Sequence, residues 1–201
     1  MLDVRILGRM PYLEALALQE ELVEARRRDA VSDTLLLVEH EPVFTAGRAT
    51  TQESLPTDSS IPIVEISRGG NITYHGPGQL VGYWIRKLDG ADRDLHGHLR
   101  TIEARLIAIL AGWSVAARRE VGRTGVWVEA KKIASIGTAV RNWVSFHGFA
   151  LNVAVDHAIY ERFRPCGLDG SMMTDLSTVL GRPIEFGEVA EATRRTFGKS
   201  G

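Results

Sequence analysis

One cysteine, four lysines and no apolar run of bilayer-spanning length are what this chain of 201 residues has least of. The single thiol, Cys166, excludes an intramolecular disulfide and fits a reducing cytosol. With neither a spanning run nor a signal-peptide pattern at its start, the sequence predicts a cytoplasmic protein that engages no membrane. A formal net charge of -1 leaves no electrostatic footprint for nucleic acid. The phosphate-cradling pattern G-x-x-x-x-G-K-[ST] is missing: Gly198-Lys199-Ser200 closes the chain, but position 193 is threonine. Gly76-x-Gly78 is followed by Gly82, one position late for a dinucleotide fingerprint. Paired cysteines for zinc and a G-x-S-x-G elbow are missing too. His96-Gly97-His98 lies in a polar helix start, which predicts surface histidines. ATP, NAD and metal chemistry lose ground together, so no cofactor and no metal are expected.

The hydrophobic share of 44% and charged share of 24% are ordinary for a globular protein. The length suits one catalytic domain over residues 1–201. Strands are predicted at Leu2–Leu7, Thr34–Glu39, Val43–Thr45 and Ile61–Ile66, with Gln79–Arg86 as the return strand of a glycine-rich hairpin. Further short strands are predicted at Ser114–Ala117, Gly125–Val128, Lys132–Val140 and Val144–Val155, with Gly122, Gly125 and Arg141-Asn142 as turns. Helical spacing runs from Pro11 to Arg28, from Arg93 to Ala111 and from Glu188 onward. The class is α+β: a central, mostly antiparallel sheet flanked by helices.

The segment Arg68 to Gln79, R-G-G-N-I-T-Y-H-G-P-G-Q, holds four glycines, one proline and one histidine. Such density is costly in a helix or strand and marks places where backbone passes close to something, here a binding wall or a mere corner. Cys166 sits between proline and glycine in Arg164-Pro165-Cys166-Gly167-Leu168, a loop rather than a packing position. A thiol of ordinary pKa, about 8.5, is only a few per cent thiolate at neutral pH and needs a cationic neighbour. Only four of the 24 basic residues are lysines: Lys87, Lys131, Lys132 and Lys199. On the strand Lys132-Ile133-Ala134-Ser135-Ile136-Gly137, alternation sends Lys131 and Lys132 to opposite faces and groups Lys132 with Ala134 and Ile136. In Phe146-His147-Gly148-Phe149-Ala150-Leu151-Asn152, the small residues leave room for an apolar tail, and His147 reads as a satisfied core histidine.

These residues carry a resemblance. Arg68-Gly69-Gly70-x-x-Thr73-Tyr74-His75-Gly76-Pro77-Gly78-Gln79, Lys132-Ile133-Ala134-x-Ile136-Gly137, His147-Gly148-Phe149-Ala150 and Pro165-Cys166-Gly167 resemble the octanoyltransferases of lipoate biosynthesis. Glu39-His40-x-Pro42 and Gly125-Val126-Trp127 add to it, and the coverage runs from about residue 5 to 180. The resemblance implies a fold like the biotin and lipoate protein ligase catalytic domains. It also implies a reaction: octanoyl passes from octanoyl-acyl carrier protein to a lysine of lipoyl domains, through a cysteine acyl-thioester. The acceptors it implies are the lipoyl domains of 2-oxoacid dehydrogenases and the glycine cleavage H protein.

By the same resemblance, the nucleophile is Cys166 and the activating base Lys132. The acyl-binding residues are Arg68, Gly69, Gly70, Asn71, Ile72, Thr73, Tyr74, His75, Ser135, Ile136, Gly137, Gly148, Phe149 and Ala150. Backbone N–H groups at Gly137 or near Gly167 are candidate oxyanion donors. The glycines at 69, 70, 76 and 148 are expected to let the groove walls close on the chain. Asn71, Trp84 and Met173 to Ser177 depart from the family pattern. Three other readings stand beside this one: an ATP-dependent ligase of the same fold, a lipoyl-protein amidotransferase and a non-catalytic acyl-carrier-binding module.

Overall fold

The structure is a computed structural model that describes residues 2–56 and 60–198, apart from the side chain of Cys166. Strand β1 (Asp3–Met10) passes through helix α1 (Tyr12–Arg27) to β2 (Thr34–His40), which runs parallel to it. A parallel neighbour needs such a crossover. Then come β3 (Val43–Ala46), β4 (Ile63–Glu65), β5 (Thr73–His75), β6 (Gln79–Lys87) and α2 (Leu95–Ala111). An antiparallel meander follows: β7 (Ala117–Glu120), β8 (Arg123–Val128), β9 (Lys131–Arg141) and β10 (Val144–Asn152). After a long irregular segment, α3 (Leu176–Leu180) and α4 (Phe186–Gly198) end the described chain.

The large sheet has the order β1-β2-β6-β10-β9-β8-β7 and is antiparallel except for β1 and β2. The α+β class with a mostly antiparallel sheet is therefore what the fold displays. Helix α1 covers one face, where Tyr12, Ala15, Leu22 and Val23 pack on Leu36, Val38, Val81 and Tyr83. Helices α2 and α4 cover the other, where Ile102, Leu106, Val189 and Phe197 pack on Leu35, Leu37, Leu80 and Phe149. Burial on both faces explains the unbroken apolar run of β2, since neither side of the strand meets water.

The glycine-rich hairpin is a correction. β5 pairs with β3 in a separate three-stranded sheet of order β4-β3-β5, whereas β6 joins the middle of the large sheet. The Gly76-Pro77-Gly78 turn thus carries the chain from one sheet to the other. β6 does not alternate, because its residues from Gln79 to Ile85 are all buried. The small sheet has its own core, Phe44, Ile72 and Tyr74 against Ile159, Tyr160, Phe163 and Met173. The last four belong to the irregular segment that carries Cys166, so that segment is mounted on the small sheet.

Two further expectations change. The strand predicted at Ser114 begins at Ala117, because Ser114 takes a left-handed conformation (φ 59°) that ends the α2 region. Gly125 is no turn but lies inside β8, with φ 133°.

The third change is His98. It is 2% exposed, 5.2 Å from Trp84 between ring centroids, and among the described residues neither ring nitrogen has a hydrogen-bond partner. Burial, with the charge of Arg86 second, pushes its pKa down to about 4. The unfolded chain takes up a proton near pH 6.5, which the fold refuses until about pH 4, so stability drains away as pH falls through that window. His98→Leu is expected to stabilise the protein by about 1–3 kcal/mol at neutral pH. Its advantage should widen towards pH 5, as thermal unfolding at the two pH values would register. A variant that melts lower than the parent at both would mean the imidazole packs better than leucine there.

Candidate active site

A cavity of about 280 Å³ lies where the small sheet and the loop before β5 meet the α1 face of the large sheet. Its floor crosses the strands: Val81 and Tyr83 on β6, Gly148, Phe149 and Ala150 on β10, Ser135, Ile136 and Gly137 on β9, and Trp127 on β8. Two strand spacings, about 10 Å, separate β9 from β6. The small-sheet side supplies Arg68, Gly70, Asn71, Thr73 and His75, and Tyr12 lines it from α1. Lys132, Arg123, Thr124 and Leu168 line it towards β8 and the Cys166 segment.

Three residues expected in the binding wall are placed elsewhere. Ile72 (0% exposed) and Tyr74 (8%) pack into the small-sheet core, because the strand alternation that turns Thr73 to the cavity turns its neighbours away. Gly69 spends its N–H on the Thr138 carbonyl (3.1 Å) and lies outside the lining. The glycines at 76 and 148 also answer to close approach within the protein. A Cβ at 148 would strike the Gly82 carbonyl on β6, and one at 76 would strike the Tyr74 ring.

Arg68 is the frame of the site. It is 7% exposed and donates from Nη1 to the carbonyls of Gly69 (3.0 Å) and Asn71 (2.7 Å). From Nη2 it donates to the carbonyl and Oγ1 of Thr45, at 2.8 and 3.0 Å. One side chain therefore ties the loop before β5 to β3. Asn71 adds a local clamp, accepting from the Ile72 N–H (2.6 Å) and donating to Ser54 Oγ (2.9 Å). Trp84, another departure from the family pattern, stands on the far face beside His98 and Phe197 and takes no part in the cavity.

The titratable groups of the far end stay neutral. Burial, then the charges of His40 and Arg68, hold His75 down at about 3. Burial, then Arg68, holds His147 at about 4. Burial keeps the Tyr12 hydroxyl protonated, its pKa pushed up to about 12. His40 receives the Tyr83 hydroxyl on Nε2 (2.7 Å), since its Nδ1 must donate to the Met10 carbonyl (2.9 Å). Apart from fixed cations, the cavity offers an uncharged wall.

His147 departs from the satisfied core histidine expected of it. It sits in β10 with φ 56°, its backbone N–H held by Gln19 Oε1 of α1 at 3.0 Å, and its Nε2 is buried without a partner among the described residues. A left-handed residue inside a strand is strain held in place by its surroundings. Tyr12, Tyr83, Val81, Trp127 and Leu168 also line the cavity and were not foreseen. They come from four separate segments, and only Val81 and Tyr83, two apart on β6, share a local pattern.

At the other end, Lys132 is 4% exposed while Lys131 is exposed, as alternation requires. Among the described residues the Lys132 ammonium has no carboxylate partner; the Trp127 ring lies 5.8 Å away. Gly125 makes room for it, since a Cβ there would press on Lys132 Cε and the Ala134 carbonyl. The backbone around Cys166 approaches from outside. Pro165–Gly167 forms a single 3-10 turn, Gly167 lies near Asn71, and Leu168 enters the lining. The Gly167 N–H closes that turn on the Arg164 carbonyl (3.1 Å), so it is already engaged and not a free oxyanion donor.

A cavity with no carboxylate in its lining, edged by a buried lysine, can hold an apolar chain beside a reacting group. The chain belongs to the family of the lipoyl protein ligase A/B catalytic domain, which it matches over residues 11–198. An octanoyltransferase of Geobacter metallireducens is 46% identical over 194 residues, covering 96% of this chain and 91% of the relative. One of Syntrophotalea carbinolica is 49% identical over 188 residues, covering 94% and 89%. Among solved structures, a lipoate-protein ligase A bound with ATP superposes with a TM-score of 0.75 at 17% identity, over 98% of this chain and 84% of that one. At that identity the likeness is one of fold.

Proposed function

We propose that the chain is an octanoyltransferase that takes octanoyl from octanoyl-acyl carrier protein and passes it to a lysine of lipoyl domains, through a thioester on Cys166. The observation that carries this reading is Lys132, buried at the edge of a cavity without carboxylates that also receives Leu168, two residues beyond Cys166. The near full-length relatives called octanoyltransferases support it. A thiolate attacking a thioester exchanges one thioester for another and needs no activation of the acid. Lys132 gives the departing carrier thiolate its proton, so the octanoyl carbonyl remains on sulfur and the lysine is left neutral for the second step. The acceptor amine must attack as the neutral base, and Lys132 takes the proton it sheds as the amide forms and the thiolate departs. Burying the acyl chain contributes about 0.8 kcal/mol per CH₂, enough to hold an eight-carbon tail while partners exchange.

The acceptors we assign are lipoyl domains, including those of 2-oxoacid dehydrogenases and the glycine cleavage H protein. Intact-protein mass spectrometry tests the whole scheme. Mixed with octanoyl-acyl carrier protein and no ATP, the parent chain is expected to gain a single octanoyl increment that a lipoyl domain then removes. Cys166→Ser is expected to gain no thioester. Transfer that appears only with ATP and free octanoic acid would place the chain with the ligases.

A further inference from the structure

Thirteen described residues from 153 to 165, and eight more from 168 to 175, flank the 166–167 pair without a strand or a full helix to stiffen them. The segment contains only single 3-10 turns, at His157–Glu161, Pro165–Gly167 and Gly170–Met172. Something else must hold it, because a loop this long has no regular ladder of its own.

Its two limbs meet on one buried side chain. Asn152, 1% exposed at the end of β10, donates from Nδ2 to the Thr174 carbonyl (2.9 Å) on the descending limb. That carbonyl can only accept, which settles the orientation of the amide: Oδ1 faces the other way and must accept. It accepts twice, from the Tyr160 hydroxyl (2.9 Å) on the ascending limb and from Gln79 Nε2 (2.9 Å) on β6. Gln79 is oriented in turn, and its Oε1 accepts from His75 Nδ1 at 2.7 Å. Beyond Thr174 the linkage continues to the other half of the candidate site. The Thr174 N–H donates to the Lys132 carbonyl (3.0 Å), and Met173 bridges in parallel to Lys132.

We propose that Asn152 is a positioning residue: it closes the Cys166 loop at both limbs and sets that loop against the strand that carries Lys132. The inference rests on the Cys166–Lys132 reading above. Asn152 touches neither the cavity nor any reacting group, so its effect runs through the separation of two other residues. A misplacement of about 1 Å in such a pair costs on the order of 10²-fold in rate.

The test uses the full chain, in which Cys166 is the sole cysteine, so alkylation by iodoacetamide reports on that thiol alone. Asn152→Asp keeps acceptors for Gln79 and Tyr160 but turns a carboxylate oxygen on the Thr174 carbonyl. Tyr160→Phe removes only the hydroxyl that the ascending limb brings to Asn152. The expected result for Asn152→Asp is an alkylation midpoint moved at least one pH unit towards the ordinary thiol value of about 8.5. Its kcat should fall roughly 10- to 100-fold with KM for the octanoyl carrier nearly unchanged. Tyr160→Phe should move both in the same direction by less.

Folded variants with the parent's alkylation profile and kcat would overturn the proposal. If Asn152→Asp does not fold, as circular dichroism would show, Tyr160→Phe decides alone by the same criteria. Lys132→Met in the same assay separates the two readings. No shift with Lys132→Met overturns the Cys–Lys pairing itself, and the role of Asn152 with it. A shift with Lys132→Met but none with the loop variants overturns only the role of Asn152.

Discussion

Lys132→Met is expected to lower kcat by roughly 10²- to 10⁴-fold, the range that loss of a general base commands. Methionine nearly matches the lysine stem in length, so the space cleared at Gly125 stays filled and the packing on Trp127 is kept. What disappears is the charge. A cation 4% exposed, with no carboxylate among the described residues, is a cost to the fold, so the variant should melt no lower than the parent. The loss of rate should therefore appear without a loss of stability. A kcat within about threefold of the parent, well inside that range, would remove Lys132 from the chemistry.

Arg68→Met should act the opposite way, through the fold first. The guanidinium serves three carbonyls and one hydroxyl on two segments, and removing it strands buried acceptors that water cannot reach. The expected cost is on the order of 4 kcal/mol. For a chain of this size that corresponds to roughly 8–16 °C in Tm. Octanoyl loading should fall with it, because Gly70 and Asn71 reach the cavity from the loop that Arg68 holds. Arg68→Lys should recover only part of both, since an ammonium lacks the planar fork that spans two segments. A melting temperature within about 2 °C of the parent, less than 1 kcal/mol, would show that the carbonyls find other donors.

The two predictions differ because the two cations were legible in different ways. Lys132 stands out by residue type: lysine is scarce in this chain, and period-2 alternation separates it from Lys131. Arg68 is one of many arginines, and only its place in a glycine-rich run marked it. That run was read correctly as a place of close approach and incorrectly as a hairpin. Nothing in R-G-G-N-I-T-Y-H-G-P-G-Q says that β5 pairs with β3 and β6 with β2 and β10, because partner choice rests on residues some thirty to seventy positions away. Ile72 and Tyr74 followed the same error, since a second sheet gives their side of β5 a core of its own.

The glycines show the limit of local reading most clearly. An apolar segment with Gly148 reads as a slot for a ligand, and that glycine lines the cavity, but the Gly82 carbonyl of β6 also lies where its Cβ would be. Gly78 likewise has φ 81° and presses against the Ala154 carbonyl, which lets its own carbonyl accept from both Val153 and Ala154. A glycine announces close approach, but the sequence does not say of what.

Composition, periodicity and residue type were enough for the class of fold, the three longer helices, the buried strand β2 and the choice of Cys166 and Lys132 as the residues to watch. These are short-range properties, written in spacings of two to four residues and in the pKa and polarity of single side chains. The enclosure of the cavity, the neutral histidines at its end, the burial of His98 and the hold of Asn152 on both limbs of the Cys166 loop were decided by tertiary structure. Each depends on which distant segments exclude water from which groups, and exclusion of water is a property of packing that no local pattern carries.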